Sequence, residues 1–319
     1  MSTRLEHRIR RAERRVADAY GLRMTERGVA VAEPAVQVRV LTVGSGAPVL
    51  YINGLATPAM GFAPLIARLP GYRHILVDLP GHSLAPPYRW QGRPVRDLGV
   101  GVLTGVLDGL GLGEVQVVGS SLGGLFALWT AVDAPGRVSR AVIVGTPATA
   151  LPGTRGTASM AALTSPAWGS VHQCLMRLPS PRSVARSALA EAIGPDAARG
   201  LSDDLLDLHR LPLRLPGQAD SYRSLLCRLM RGPTPRGENV LTQAELAGIT
   251  TPMLFVWGER DVFCAPDRGR DSVARIPTAK LSVVPGGHSP WLDDAAGCAA
   301  LIGDFLAREE VAAGDPRRG

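Results

Sequence analysis

At 319 residues, with 45% hydrophobic and 20% charged side chains, the chain has the balance of a globular protein able to bury a sizeable core. Its formal net charge of +7 comes almost wholly from arginine, Lys280 being the only lysine, and the arginines are scattered rather than clustered with aromatics, which argues against a nucleic-acid partner. No apolar segment opens the chain and no run is long enough to span a bilayer, so secretion and stable membrane insertion are not expected; the four cysteines lack C-x-x-C or metal-like histidine spacing, which predicts free buried thiols in a reducing cytoplasm and no metal.

Residues 1–22 read as a basic amphipathic helical extension. Leu5, Ile9, Ala12, Val16 and Tyr20 share one face, with Arg4, Arg8, Arg11 and Arg15 opposite. Such a helix docks on the domain behind it or mediates self-association as a homodimer. Residues 29–32 and 36–43 predict an opening hairpin, and 48–52 the first buried strand, followed by Asn53-Gly54-Leu55-Ala56. Residues 74–79 predict the next strand, with Asp78-Leu79-Pro80-Gly81-His82-Ser83 at its end, and 94–111 a helix.

A β-branched run from Val115 then enters Gly119-Ser120-Ser121-Leu122-Gly123 and passes directly into a helical pattern that continues to about residue 134. Gly-x-Ser-x-Gly between strand and helix is the pattern of a nucleophile elbow. A serine at such a turn has strained backbone, and the strand and helix approach so closely that the positions two before and two after it want no side chain. The geometry lifts the Ser121 hydroxyl above the sheet and aims the free N–H of Leu122 at a developing oxyanion.

Residues 138–144 predict another strand, which closes a strand–helix alternation typical of a mostly parallel sheet. From 147 to 247 the alternation stops. Pro152, Pro166, Pro179, Pro195, Pro212, Pro216 and Pro233 break this segment into several short helices, and its only large aromatics are Trp168 and Tyr222. His172 and His209 read as residues of this segment rather than ligands. A strand over 252–257 then runs into Gly258-Glu259-Arg260-Asp261, and one over 281–284 into Pro285-Gly286-Gly287-His288. A closing helix is expected over about 290–308, and residues 310–319 are expected to form a flexible tail.

Ser121 needs a neutral histidine to take its proton; His288 fits that role, and an acid must then hold the other imidazole nitrogen. Asp261, Glu259, Asp267 and Asp271 are the rival acids near the first of the two late strands.

With serine, acid and histidine in that order, each just past a strand, the chain resembles the α/β-hydrolase superfamily over roughly residues 28–309. The resemblance implies an eight-stranded, mostly parallel α/β sheet with helices on both faces. It divides the core into residues 23–146 and 248–309, with 147–247 as a helical cap inserted after the sixth strand. Asp261 occupies the family's position in a Gly-x-x-Asp turn. The turn after the first buried strand supplies the second oxyanion-hole N–H, which makes Leu55 and Leu122 the two donors. That turn is commonly His-Gly; here it is Asn53-Gly54, which leaves open what Asn53 bonds to. His82 corresponds to a histidine that braces its loop rather than acting as a base.

Ser121 at the elbow speaks against epoxide hydrolase and haloalkane dehalogenase relatives, which use Asp there, and Leu122 weakens a proline iminopeptidase reading. The expected reaction is hydrolysis of a small, mostly apolar carboxylic ester, lactone or thioester through an acyl-enzyme, without cofactor. Asn53, Ser120, Trp168, Tyr222 and Trp291 are the substrate-pocket candidates. The alternatives that keep the fold are a lyase, a C–C bond hydrolase, an acyltransferase of specialised metabolism, and a low-turnover small-molecule binding protein.

Overall fold

The computed structural model describes residues 2–307; the expected tail over 310–319 and the end of the second core segment lie outside the described residues. Ten strands follow in chain order: β1 (Met24–Val31), β2 (Val36–Val43), β3 (Ala47–Ile52), β4 (Tyr72–Asp78), β5 (Val115–Ser120), β6 (Val138–Val144), β7 (Met230–Arg231), β8 (Thr234–Pro235), β9 (Met253–Gly258) and β10 (Ala279–Val284). Eight of them form one sheet in the order β1-β2-β4-β3-β5-β6-β9-β10, while β7 and β8 pair only with each other. Within the large sheet β3, β4, β5, β6, β9 and β10 run parallel, and β1 and β2 are antiparallel.

The helices of the first half are α1 (Ser2–Ala19), α2 (Ala63–Ile66), α3 (Val95–Leu110) and α4 (Leu122–Asp133). Between β6 and β9 lie α5 (Ala158–Thr164), α6 (Gly169–Met176), α7 (Arg182–Ile193), α8 (Pro195–Gly200), α9 (Asp203–Arg210), α10 (Gln218–Leu229) and α11 (Gln243–Ala247). After β9 come α12 (Pro266–Val273) and α13 (Ala295–Leu306).

Successive residues of the central strands feed two separate cores. Leu50, Ile52, Val117, Ile143, Phe255 and Trp257 join one, with α3 and α4. Val49, Tyr51, Val118, Val142, Leu254 and Val256 join the other, with α1, α2 and α13. A strand covered on both faces has no polar side to show, which is why these segments read as continuous apolar runs rather than alternating ones.

The opening strand begins earlier than its sequence suggests. Met24 to Gly28 pair with β2, yet Thr25, Glu26, Arg27 and Gly28 are exposed at the sheet edge and carry no apolar signal. The closing helix is shorter than expected: Pro290–Leu292 is a separate 3₁₀ turn, and the Asp294 side chain caps α13 by accepting from Gly297 N–H at 2.9 Å. The thiols are all free, but Cys174 is exposed and Cys227 half-buried, so only Cys264 and Cys298 fit the expectation of burial.

The N-terminal helix docks within the chain. Ile9, Ala12, Val16 and Ala17 are buried, and so is Glu13, which no hydrophobic pattern marks. Glu13 accepts from both terminal nitrogens of the buried Arg39, at 2.7 and 2.8 Å, and Arg39 also donates to Asp78 at 2.6 Å and to Glu26 at 2.9 Å. Arg39 therefore ties α1 to β1, β2 and β4. Burial pushes the Glu13 carboxyl up despite Arg39, whereas the hydrogen bonds from Arg39 and Arg10 hold Glu26 down to about 2 against an ordinary value of 4.5.

A group with a depressed folded pKa stabilises above its unfolded pKa and loses that contribution as pH falls through the folded one. The urea midpoint advantage of wild type over Glu26→Gln should therefore be full above pH 4.5 and fade as pH falls towards about 2. An advantage independent of pH across that window would refute the ionic role.

Candidate active site

Ser121 links β5 to α4 with φ 52° and ψ −112°, a left-handed backbone that a residue with a side chain rarely holds. Two close approaches explain why the sequence folds this way. A Cβ on Gly123 would lie 1.9 Å from the Ile52 carbonyl oxygen, and one on Gly119 would lie 2.4 Å from the Gly123 carbonyl oxygen. Without side chains there, α4 can press against the ends of β3 and β5. Ser121 N–H donates to Val144 O at 3.3 Å, which seats the turn on the end of β6.

The turn after β3 comes up beside this serine: a Cβ on Gly54 would stand 3.6 Å from Ser121 Oγ. Asn53 shapes the turn from within. Its Oδ1 accepts from Gly54 N–H at 2.8 Å, and its Nδ2 donates to Pro58 O at 2.7 Å. Thr57 Oγ1 donates to Gly54 O at 2.6 Å, and Asp78 Oδ1 accepts from Ala59 N–H at 2.8 Å. Among the described residues the Leu55 and Leu122 N–H groups are spent in no turn or cap hydrogen bond, and Leu122 opens α4, where an N–H has no intrahelical acceptor.

Asp261 and His288 meet across the ends of β9 and β10, with His288 Nδ1 2.9 Å from Asp261 Oδ2. Thr146 N–H also donates to Asp261 Oδ2 at 2.8 Å, and Phe263 N–H donates to Oδ1 at 3.0 Å. Burial pushes the Asp261 carboxyl up, but His288 and these two N–H groups outweigh it and hold the pKa below the usual value. An ionised acceptor at Oδ2 fixes the imidazole with its proton on Nδ1 and its lone pair on Nε2. Nε2 is buried and makes no hydrogen bond among the described residues, Ser121 included. The Phe263 ring backs the imidazole, with centroids 4.3 Å apart.

Gly145 joins this pair to the serine turn. It follows Val144, has φ 68°, and a Cβ there would lie 2.2 Å from His288 O, 3.1 Å from His288 Nδ1 and 3.3 Å from Asp261 Oδ2. Gly145→Ala should cost about 2–4 kcal/mol through overpacking and left-handed strain. By displacing the imidazole it should also lower kcat by about 10²-fold. Urea unfolding and steady-state kinetics on the purified variant check both; wild-type kinetics would show that the imidazole is not held from this side. Gly145, Thr146 and Phe263 have no motif of their own in the sequence. Their only signal is position, directly after β6 and two residues past Asp261.

The rival acids are placed elsewhere: Glu259 pairs with Arg260, and Asp267 with Arg270. Of the pocket candidates, Ser120 is the buried last residue of β5, and Tyr222 lies on α10, its hydroxyl pushed up to about 12 by burial and by Glu191. Trp168 is 64% exposed. Asn53 and Trp291 are both tied into the surrounding framework. Both polar ends of Asn53 are spent on its own turn; Trp291 Nε1 donates to Gly61 O at 2.9 Å and its ring stacks on Phe62, so both brace the framework. His82 is buried with Nδ1 3.1 Å from Pro80 O, as a loop brace. His172 is exposed, whereas His209 is buried and pushed down to about 4.

One face of α10 is fastened to the loop after β4. Gln218 Nε2 donates to Ala85 O at 2.7 Å, Tyr88 N–H donates to Ser221 Oγ at 2.9 Å, and Trp90 N–H donates to Ser224 Oγ at 3.3 Å. The spacing of three between these residues puts all three side chains on one side of the helix.

The profile of the family described as "Alpha/beta hydrolase family" matches residues 49–301. A 2-hydroxy-6-oxononadienedioate/2-hydroxy-6-oxononatrienedioate hydrolase of Cupriavidus pinatubonensis is 32% identical over 276 residues, covering 82% of this chain and 88% of that protein. A pimeloyl-[acyl-carrier protein] methyl ester esterase of Xanthomonas campestris pv. campestris is 29% identical, covering 83% of this chain and 97% of that protein. Among solved structures, the naproxen esterase of Bacillus subtilis superposes with a TM-score of 0.71 at 19% identity, over 94% of this chain and 97% of that one. That likeness extends to the fold.

Proposed function

The chain belongs to the alpha/beta hydrolase family and is a hydrolase, and from that premise we propose that Ser121, His288 and Asp261 cleave a small, mostly apolar carboxylic ester, lactone or thioester. The observation that carries this reading is the Asp261–His288 contact at 2.9 Å, which leaves the imidazole lone pair on Nε2, joined through Gly145 and Val144 to the strained turn of Ser121.

In this mechanism His288 Nε2 takes the Ser121 proton as Oγ attacks the acyl carbon. The oxyanion accepts from the N–H groups of Leu55 and Leu122. Asp261 stabilises the imidazolium, which then gives its proton to the leaving alcohol or thiol. Water, deprotonated by His288, attacks the acyl-enzyme and releases the acid and the serine. Residues 147–247 act as the cap, with α10 as its fixed edge and Tyr222 as a pocket wall. The apolar face of α1 is spent inside the chain and leaves little apolar surface for a second copy, and the exposed Cys174 thiol supports a reducing cytoplasmic location.

A second reading, C–C bond hydrolysis of a 2-hydroxy-6-oxo dienedioate, is favoured by the name and identity of the Cupriavidus relative. Hydrolysis of p-nitrophenyl esters from acetate to octanoate separates the two. Turnover with a defined chain-length optimum supports the ester reading and sizes the pocket. A folded enzyme that leaves the whole series intact yet cleaves the dienedioate overturns it in favour of the second.

A further inference from the structure

The outward face of α1 borders a cleft of about 170 Å³ against α7 and α9, lined chiefly by Arg8, Arg11, Arg15, Arg182, Asp204 and Asp207. Spacings of three and four bring Arg8, Arg11 and Arg15 into one row along the helix. The carboxylates are largely engaged already. Asp207 accepts from Arg182 at 3.1 and 2.8 Å and from Arg210 at 2.6 Å, and these guanidiniums hold its pKa down against the upward push of burial. Arg182 also donates to Asp203 at 2.8 Å. Asp204 meets Arg15 at 3.6 Å. Arg8 and Arg11 are exposed and form no ion pair among the described residues.

Four guanidiniums against two carboxylates leave the lining with a surplus of two positive charges in a concave site. We propose that this cleft is an anion site for a phosphate group, free or as a small phosphomonoester, held chiefly by Arg8 and Arg11 with Arg15 at the rim. A dianion neutralises the surplus, and forked guanidinium donors match its oxygens. With Arg182 of α7 facing the same cleft, such a ligand bridges α1 to α7, and so clamps the N-terminal helix onto the segment between β6 and β9. The site is separate from Ser121 and does not depend on the hydrolase reaction.

Isothermal titration of the full chain with inorganic phosphate and with glycerol phosphate, at constant ionic strength, tests the assignment. Wild type should bind saturably, and Arg8→Ala/Arg11→Ala should bind at least about tenfold more weakly. Arg275→Ala, at an exposed arginine outside the cleft, should bind like wild type. Because phosphate also stabilises folded proteins by exclusion from their surface, a melting-point rise equal in all three proteins, without saturable heat, would overturn the proposal. So would retention on phosphatidic acid vesicles by wild type but not the double variant, with no response to the soluble phosphates; that pattern would identify a lipid surface instead. Far-ultraviolet circular dichroism confirms that α1 persists in the double variant, whose two alanines favour helix.

Discussion

Ser121→Ala is expected to lower kcat for ester hydrolysis by about 10⁴-fold or more while leaving the fold intact. The hydroxyl is the only group lost, and among the described residues it takes part in no side-chain hydrogen bond that holds the turn; the turn is seated by the Ser121 backbone N–H on Val144 and by the close packing at Gly119 and Gly123. The melting temperature should therefore stay within about 2 °C of wild type, as for substitutions away from buried networks. Retained turnover in a folded variant would mean that the strained turn at Ser121 serves packing alone.

Asp261→Asn is expected to be nearly as damaging, with a fall in kcat of about 10⁴-fold. Asp261 is surrounded entirely by donors: Thr146 N–H and His288 Nδ1 at Oδ2, and Phe263 N–H at Oδ1. An amide must turn an NH₂ towards one of these donors. Facing His288, it drives the ring proton to Nε2 and removes the acceptor that Ser121 needs. Facing Phe263, it leaves an N–H without its partner and loosens the turn that carries the acid. The variant should thus lose activity through the tautomer and some stability through the turn. A fall in kcat below tenfold would assign the acid's role to another carboxylate.

The legible parts of the molecule were those where one local constraint dominates. The Gly-x-Ser-x-Gly run admits few other backbones, because Gly119 and Gly123 meet carbonyl oxygens at distances no side chain survives. The strand–helix alternation and the doubly buried strands likewise place Ser121, Asp261 and His288 just past the carboxyl ends of β5, β9 and β10. What remained hidden depends on contacts between distant segments. Glu13 reads as a solvated charge on a helix, yet it is buried because Arg39, 26 residues away, reaches it.

The sequence leaves open what Asn53 bonds to, since the residue differs from the common one; its amide is consumed by the turn it belongs to. Gly145 carries no local signal of its role in the sequence. The reason for it, the space taken by His288 and Asp261, lies more than a hundred residues away and has no local periodicity. Trp291 is likewise placed by a contact distant in the chain, its bond to Gly61.

The most direct measurement is intact-protein mass spectrometry after brief exposure to a fluorophosphonate, followed by peptide mapping, on wild type and Ser121→Ala. An activated serine nucleophile requires one adduct per wild-type chain, located on Ser121, loss of ester turnover in proportion to labelling, and no adduct on the variant. An unlabelled wild type that still turns over substrate, or an adduct on another residue that tracks the loss of activity, would contradict the assignment of Ser121 as the nucleophile.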